Sequence, residues 1–312
     1  IGNNIDKIII KLYNKKHRII IRRKIMKVGV ALAGGGLKGV AYIGALKAFE
    51  ELGIQIDYIS GTSSGSMAAV LYSIGCAPEE MKKIIYESYK ELVKIPKKPI
   101  ISSVGTYITK KQLKLEGLIS GERVENLIQT SAEEKNYKNI NEIKIPLAIA
   151  TVDTISTKEC IFMSKNYNLK NEKIDYIYDI PLGKAVRSSM AFPGIFTTSK
   201  FGKYNFIDGG TKDNLPVKVL KDMGADVTIG LSFKLDDYDV ENQNILSIIL
   251  RTVDIFSLKD VIEAQKEATI AIEIDAKGTS LMEIDDIDKC IDIGYKAIME
   301  NKEQLLNIIK EK

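Results

Sequence analysis

The chain is predicted to adopt an α/β fold, with a mostly parallel sheet and helices on both faces. Short apolar runs typical of buried strands alternate with longer runs of helical periodicity over residues 26–312, which favours a parallel sheet with helical crossovers. Two glycine-rich turns, each lying between a strand-like run and a helix-like run, support the same class. The strand-like runs are 28–32, 56–60, 147–152, 226–231 and 270–274, and the helical runs are 40–49, 66–72, 78–93, 121–130 and 286–309.

The first strand leads into a glycine run at residues 34–39, and a helix follows. Consecutive glycines let backbone N–H groups converge on one point, which makes a cradle for an anion. In an acyl-transfer enzyme such a cradle is the oxyanion hole. The run therefore predicts a site that stabilises negative charge.

The same run also fits a dinucleotide-binding fingerprint, since Gly34, Gly36 and Gly39 have the required spacing between a strand and a helix. That fingerprint needs an acidic residue at the far end of the second strand. Asp57 lies at the right distance in sequence but at the start of that strand. We favour the oxyanion hole and keep nucleotide binding as an alternative.

The second strand leads into a Gly-x-Ser-x-Gly pentapeptide at residues 61–65, and a helical run follows. Strand, sharp turn and helix together are the context of a nucleophile elbow. The glycines leave room around a strained turn, and the helix directs its positive end at Ser63. Ser63 is therefore the candidate nucleophile.

A serine nucleophile needs a base, and the chain has a single histidine, His17, among lysines and arginines before the first strand. A cationic neighbourhood disfavours an imidazole that must itself become positive, so we expect His17 to be a surface residue. A carboxylate can take the serine proton instead. Asp208, which ends an apolar strand and precedes Gly209 and Gly210, is the candidate base, although Asp-Gly is by itself also a common turn signal.

Taken together, these blocks resemble those of the patatin-like phospholipases, and residues 187–196 resemble the family's segment before the aspartate block. The resemblance implies a three-layer α/β/α sandwich, a Ser63–Asp208 dyad, and no cofactor or metal. One departure is a lysine where many members carry arginine. The implied oxyanion loop comprises Gly34, Gly35, Gly36, Lys38 and Gly39, and the implied elbow comprises Gly61, Thr62, Ser64 and Gly65 around the nucleophile.

The charge is unevenly distributed. Residues 1–27 hold nine of the 45 basic residues and one of the 41 acidic residues, so the arm is basic and the remainder slightly acidic. We divide the chain into a basic arm, 1–25, and an acyl hydrolase domain, 26–312. For the arm we favour sequence that is not native, with a membrane-surface anchor or a nucleic-acid tail as alternatives. Its apolar runs are too short for a signal peptide.

Three further features are weaker. The lysine-rich stretch 91–120 fits either an anionic lipid surface or a solvated loop. Cys76, Cys160 and Cys290 lack metal-site spacing and are expected to be reduced and structural. The apolar face of the last helix is expected to dock on the protein rather than on a membrane.

The resulting prediction is a serine lipid acyl hydrolase of the phospholipase A or lysophospholipase type. The alternatives are an acyltransferase with the same dyad and a non-catalytic nucleotide- or lipid-binding protein. We expect a lipid or phospholipid substrate, no nucleic-acid partner, and a cytoplasmic location that leaves peripheral membrane contact open.

Overall fold

A computed structural model of the protein describes residues 26–93, 117–235, 245–276 and 287–310. The basic arm 1–25 with His17, and residues 94–116 of the lysine-rich stretch, lie outside the described residues, so the division at residue 26 stays a prediction. The strands are β1 (Val28–Leu32), β2 (Tyr58–Thr62), β3 (Leu147–Asp153), β4 (Glu159–Met163), β5 (Ile174–Ile177), β6 (Ser199–Phe201), β7 (Tyr204–Asp208), β8 (Val227–Phe233) and β9 (Ile270–Ile274). The α-helices are α1 (Ala41–Glu51), α2 (Ser64–Ser73), α3 (Pro78–Val93), α4 (Glu122–Glu134), α5 (Leu182–Ser189), α6 (Val217–Met223), α7 (Ile245–Glu267), α8 (Ile287–Glu300) and α9 (Lys302–Lys310).

The strands form one mixed sheet in the order β5-β4-β3-β2-β1-β8-β9, with β7 pairing to β3 and β6 pairing to β7. The pairs from β3 through β2, β1 and β8 to β9 are all parallel. The pairs that β3 makes with β4 and β7 are antiparallel. The predicted mostly parallel α/β sheet is confirmed.

Helices cover both faces of this sheet, because successive strand residues point to opposite sides. Val30 and Leu32 of β1 belong to a core built with α1, α2, α3 and α8. Ala31 and Ala33 belong to a second core built with α6 and part of α7. The three layers expected from the sequence are therefore present.

The last helical run packs as predicted but is divided. Ile298 is fully buried, and Ile287, Ile291 and Tyr295 pack against the larger core. The run predicted over 286–309 is instead two helices, α8 and α9, which are separated at Asn301. The side-chain amide of Asn301 donates a hydrogen bond to the Ala297 carbonyl at 2.8 Å, at the end of α8.

Two glycines let α8 lie directly on α1. A Cβ atom added at Gly44 would lie 1.9 Å from the Ile291 carbonyl oxygen, and one at Gly294 would lie 1.8 Å from the Ala41 carbonyl oxygen. The two backbones therefore touch where the helices cross. This docking fixes α1, which follows directly on the glycine run.

None of the helices within the described ranges has the length and apolar composition needed to cross a bilayer. All three cysteines are buried, and no disulfide joins them.

Candidate active site

Ser63 lies between β2 and α2 in a strained backbone conformation, with φ 52° and ψ −122°. Such values are costly for a residue with a side chain and tend to occur at functional sites. The flanking glycines are required by space: a Cβ at Gly61 would lie 2.4 Å from the Gly65 carbonyl oxygen, and one at Gly65 would lie 2.2 Å from that of Leu32. The expected strand, sharp turn and helix are present.

Neighbouring serines hold this turn in place. The Ser63 N–H donates to Ser189 Oγ at 2.9 Å, and Ser189 Oγ donates to the Ala150 carbonyl at 2.7 Å. The Ser66 hydroxyl donates to the Ser63 carbonyl at 2.6 Å. These bonds satisfy both backbone groups of the strained residue and offset part of its conformational cost.

The register of the sheet brings Asp208 to Ser63. Thr62, the last residue of β2, pairs with Ala150 of β3, and Asp208, the last residue of β7, pairs with Thr151. Two neighbouring positions of β3 thus set the two candidate residues side by side. The Ser63 hydroxyl donates to Asp208 Oδ2 at 2.7 Å, and the Gly210 N–H donates to Asp208 Oδ1 at 2.8 Å.

Burial controls the charge of Asp208, whose exposed fraction is 2%. Loss of hydration raises the pKa of this carboxyl to about 6, and the hydrogen bonds from Ser63 and Gly210 oppose the rise. Near neutral pH the group is mostly ionised and has a proton affinity far above that of an ordinary aspartate. It is suited to accept a proton from a neighbouring hydroxyl.

The expected role of Asp208 as the base predicts how catalysis should depend on pH. A protonated Asp208 cannot accept the Ser63 proton, so kcat/KM on a soluble ester is expected to fall about tenfold per pH unit below about pH 6. The measurement is a pH–rate profile, with circular dichroism showing that the protein stays folded. A profile that stays flat down to pH 4.5 would exclude Asp208 as the base.

The raised pKa of Asp208 also predicts how the free energy of unfolding depends on pH. The folded protein holds the Asp208 proton more tightly than the unfolded chain, so the stabilisation by protonation is complete below about pH 4 and lost as pH rises through about 6. Asp208→Asn removes the buried charge and is expected to raise the free energy of unfolding at pH 8, by up to roughly 3 kcal/mol. Urea unfolding at pH 8 and pH 4 tests this, since the gain should shrink at the lower pH.

The glycine run lies beside Ser63, and its backbone N–H groups differ in whether they have a hydrogen-bond acceptor. The Gly34 N–H donates to both the backbone oxygen and Oδ1 of Asn214, at 3.2 and 3.1 Å. The Gly35 N–H donates to Ser64 Oγ at 3.1 Å. The Gly36 N–H has no acceptor in the part of the chain that the structure describes, and Gly36 has a φ of 58°. Of these three predicted donors, Gly36 is the one with its amide open.

The peptide group between Gly35 and Gly36 is held in place through its carbonyl oxygen. The Lys38 N–H donates to the Gly35 carbonyl at 3.2 Å. Because the N–H and C=O of one peptide point in opposite directions, this bond turns the Gly36 N–H away from the loop. Gly36 lines the same cleft as Ser63.

Other members of the predicted loop have packing roles. A Cβ at Gly35 would lie 2.4 Å from the Phe233 ring, and one at Gly39 would lie 2.5 Å from Ser64 Cβ. Lys38 is buried, and its carbonyl accepts a weak hydrogen bond from Cys290 Sγ at 3.7 Å.

Tyr89 of α3 also holds this loop, which the sequence did not indicate. Its buried hydroxyl donates to the Gly36 carbonyl at 3.0 Å. Burial raises the pKa of Tyr89 well above its usual value, so the hydroxyl stays a neutral donor. Tyr89 therefore helps to position the open amide of Gly36.

Tyr89→Phe is expected to lower kcat about tenfold with little change in KM, since it removes one hydrogen bond and leaves the Gly36 carbonyl unsatisfied. The matched control is Tyr58→Phe, another buried tyrosine, whose hydroxyl accepts from Lys27 Nζ at 3.3 Å beside the start of β1. Steady-state kinetics and thermal unfolding of both variants are the measurements. Equal kcat losses would mean that the Tyr89 effect is not specific to the loop.

The site opens into a cleft with a largely apolar wall. Its polar lining includes Ser63, Asp208 and Asn214. A second, more polar crevice shares Gly34, Gly35 and Asn214 with it and extends along β8 and α7. The apolar lining of the first cleft is Leu37, Tyr89, Met190, Phe192, Ile195, Phe196 and Val253.

The dinucleotide alternative does not fit this geometry. Asp57 accepts a hydrogen bond from the Val28 N–H at 2.8 Å, at the start of β1. The glycine run follows the other end of that five-residue strand, about 16 Å away at the usual rise per residue. Asp57 therefore cannot hold a ribose whose phosphates lie on the glycine run.

No group of three or more His, Cys, Asp or Glu side chains within residues 26–93, 117–235, 245–276 and 287–310 is arranged to hold a metal ion. The expectation that no metal takes part stays a prediction.

A family model described as patatin-like phospholipase matches residues 30–221, which is more than half of the chain. An uncharacterised protein of Acanthamoeba polyphaga mimivirus is 29% identical over 211 residues, 65% of this chain and 64% of that protein. A lysophospholipase of Candida albicans is 27% identical over 64% of this chain and 12% of its own length. Neuropathy target esterase sws of Drosophila melanogaster is 27% identical over 69% of this chain and 13% of its own.

This chain thus spans less than two thirds of the curated relatives that it matches. Among solved structures, VipD from Legionella pneumophila covers 90% of this chain and 67% of its own, with a TM-score of 0.46 and 15% identity.

Proposed function

The chain belongs to the patatin-like phospholipase family, and from this premise we propose that it is a serine hydrolase of lipid esters, of the phospholipase A or lysophospholipase type. Ser63 is the nucleophile and Asp208 the base. The observation that carries the proposal is the 2.7 Å hydrogen bond from the Ser63 hydroxyl to the buried Asp208 carboxylate, both of which line a largely apolar cleft. Water is the acyl acceptor.

In the first half-reaction, the Ser63 proton passes to Asp208 Oδ2 while Oγ attacks the ester carbonyl carbon. The oxyanion of the tetrahedral intermediate accepts a hydrogen bond from the Gly36 N–H, near the positive N-terminal end of α2. The carbon–oxygen bond to the alcohol then breaks, and Asp208 returns its proton to the leaving alkoxide. The products are a free alcohol and an acyl ester of Ser63.

In the second half-reaction, a water molecule gives a proton to Asp208 and its oxygen attacks the acyl carbon. The intermediate breaks at the Ser63 oxygen, which takes the proton back, and a fatty acid leaves. Asp208 thus serves as base and as acid in turn, which its pKa of about 6 permits near neutral pH.

The lining of the cleft supports a lipid acyl group. Met190, Phe192 and Ile195 form part of its wall, and such side chains favour a hydrocarbon chain over a hydrated substrate. A lysophospholipase and an esterase among the relatives agree with a substrate of this class.

The test is fatty-acid release from lysophosphatidylcholine and from phosphatidylcholine, together with labelling by a fluorophosphonate probe. We expect release and labelling with the wild type and neither with Ser63→Ala. Adding glycerol to the assay distinguishes the acyltransferase alternative, which would yield an acylglycerol in place of free acid. Absence of both labelling and release from the wild type would refute the proposal.

A further inference from the structure

Helix α7 has two different sides. Toward the protein, Val253, Asp254 and Ser257 line the cleft that holds Ser63. Away from it, the helix presents large apolar side chains to solvent, with exposed fractions of 59% for Ile255 and 71% for Phe256. The exposed apolar face consists of Ile248, Ile255, Phe256, Leu258 and Ile262.

This face is continuous with the cleft. Leu258 and Ile262 are partly exposed and also line the crevice that shares Gly34 and Gly35 with the site. Leu235, after β8, lines the same crevice and is 41% exposed. The apolar surface therefore runs from the rim of the site out over α7.

The charges of α7 are nearly balanced. The helix has three basic residues and four acidic ones, and Lys259 lies 3.8 Å from Glu263, one turn further on. A surface without a dominant charge does not steer a strongly charged partner. The face can therefore contribute to an interaction mainly through its apolar area. Isolated exposed apolar residues are ordinary, but several together beside a cleft mark an interaction surface.

We propose that the apolar face of α7 docks on the surface of a lipid aggregate, with Ile255 and Phe256 inserted among the lipids. The inference rests on the proposed function. A protein partner or a second copy of the chain seated there would cover the rim through which a lipid ester must enter. A lipid surface on the same face instead supplies the substrate.

Docking of this kind has a recognisable dependence on lipid charge and salt. Because insertion is driven by apolar burial, binding is expected on neutral phosphatidylcholine vesicles and should change little with salt. Binding driven by lysines and arginines of the basic arm would instead require anionic lipid and weaken as salt rises.

The chain contains no tryptophan, so one introduced tryptophan reports on its own surroundings. In the full chain carrying Ser63→Ala, which prevents hydrolysis, Phe256→Trp is expected to shift its emission to shorter wavelength on phosphatidylcholine vesicles. The control is Ile155→Trp, because Ile155 is 69% exposed but lies on the turn between β3 and β4. Equal shifts, or no shift at Phe256→Trp, would overturn the inference.

The second test uses Ile255→Ser combined with Phe256→Ser, neither of which lines the cleft. Sedimentation with phosphatidylcholine vesicles is expected to show binding weakened about tenfold or more, with Ile155→Ser unchanged. With Ser63 intact, the double variant should hydrolyse a soluble short-chain ester at the wild-type rate and lose activity on vesicles.

The possible outcomes separate the two proposals. Full vesicle activity of the double variant refutes the docking surface and leaves the hydrolase standing. A wild type that binds vesicles but hydrolyses neither substrate refutes the hydrolase instead. A wild-type dimer that Ile255→Ser and Phe256→Ser convert to a monomer would assign the face to a second copy and overturn the docking inference.

Discussion

Ser63→Ala and Asp208→Asn are each expected to lower kcat/KM for a short-chain nitrophenyl ester by about 10³-fold or more, because each removes one half of the proposed catalytic dyad. The double variant should be little worse than either single one, since residues that act as a unit are not additive. Neither change opens a cavity, so both variants should remain folded. Hydrolysis rates and fluorophosphonate labelling are the measurements.

Two other buried residues of the same types provide matched controls for these variants. Ser73→Ala changes a buried serine of α2 whose hydroxyl has no hydrogen-bond partner among the residues that the structure describes. Asp153→Asn changes a buried carboxylate on β3 that is bonded to Asn205 and Ser156 rather than to Ser63. Both should keep near wild-type activity. If the Asp208→Asn protein were as active as these controls, the Asp-Gly-Gly segment would have only a structural role as a turn.

Gly36→Ala is expected to lower kcat by about 10²-fold or more, the usual cost of losing one oxyanion donor. The φ of 58° is unfavourable for alanine, so the loop should shift and carry the open amide with it. Gly53→Ala and Gly75→Ala are the controls, because both glycines also have positive φ but would meet no atom within 4 Å. They should cost similar stability and leave kcat unchanged.

A kcat for Gly36→Ala equal to that of the two controls would exclude the Gly36 amide as a donor. Tight binding of NAD or ATP in a titration would revive the nucleotide alternative despite the position of Asp57.

The sequence by itself predicted the α/β sheet, because buried parallel strands appear as short apolar runs and the helices between them keep their own period. It also located the strained turn at Ser63. A strained strand-to-helix turn with two close backbone contacts admits glycine at both flanks, so Gly61 and Gly65 are visible locally. The absence of any histidine but His17 directed attention to Asp208.

Only the tertiary structure decided how these local features meet. The approach of Asp208 to Ser63 depends on β7 and β2 pairing with successive residues of β3, and no local pattern encodes a register between strands 145 residues apart. The hydrogen bond that Tyr89 donates to the glycine loop and those that Asn214 accepts from it could not be predicted either, because an isolated tyrosine or asparagine has no sequence signature until folding brings its partner near. A local backbone conformation restricts which residues can occur nearby in the sequence, so it can be predicted from them. Contacts between distant segments depend instead on the packing of the whole sheet.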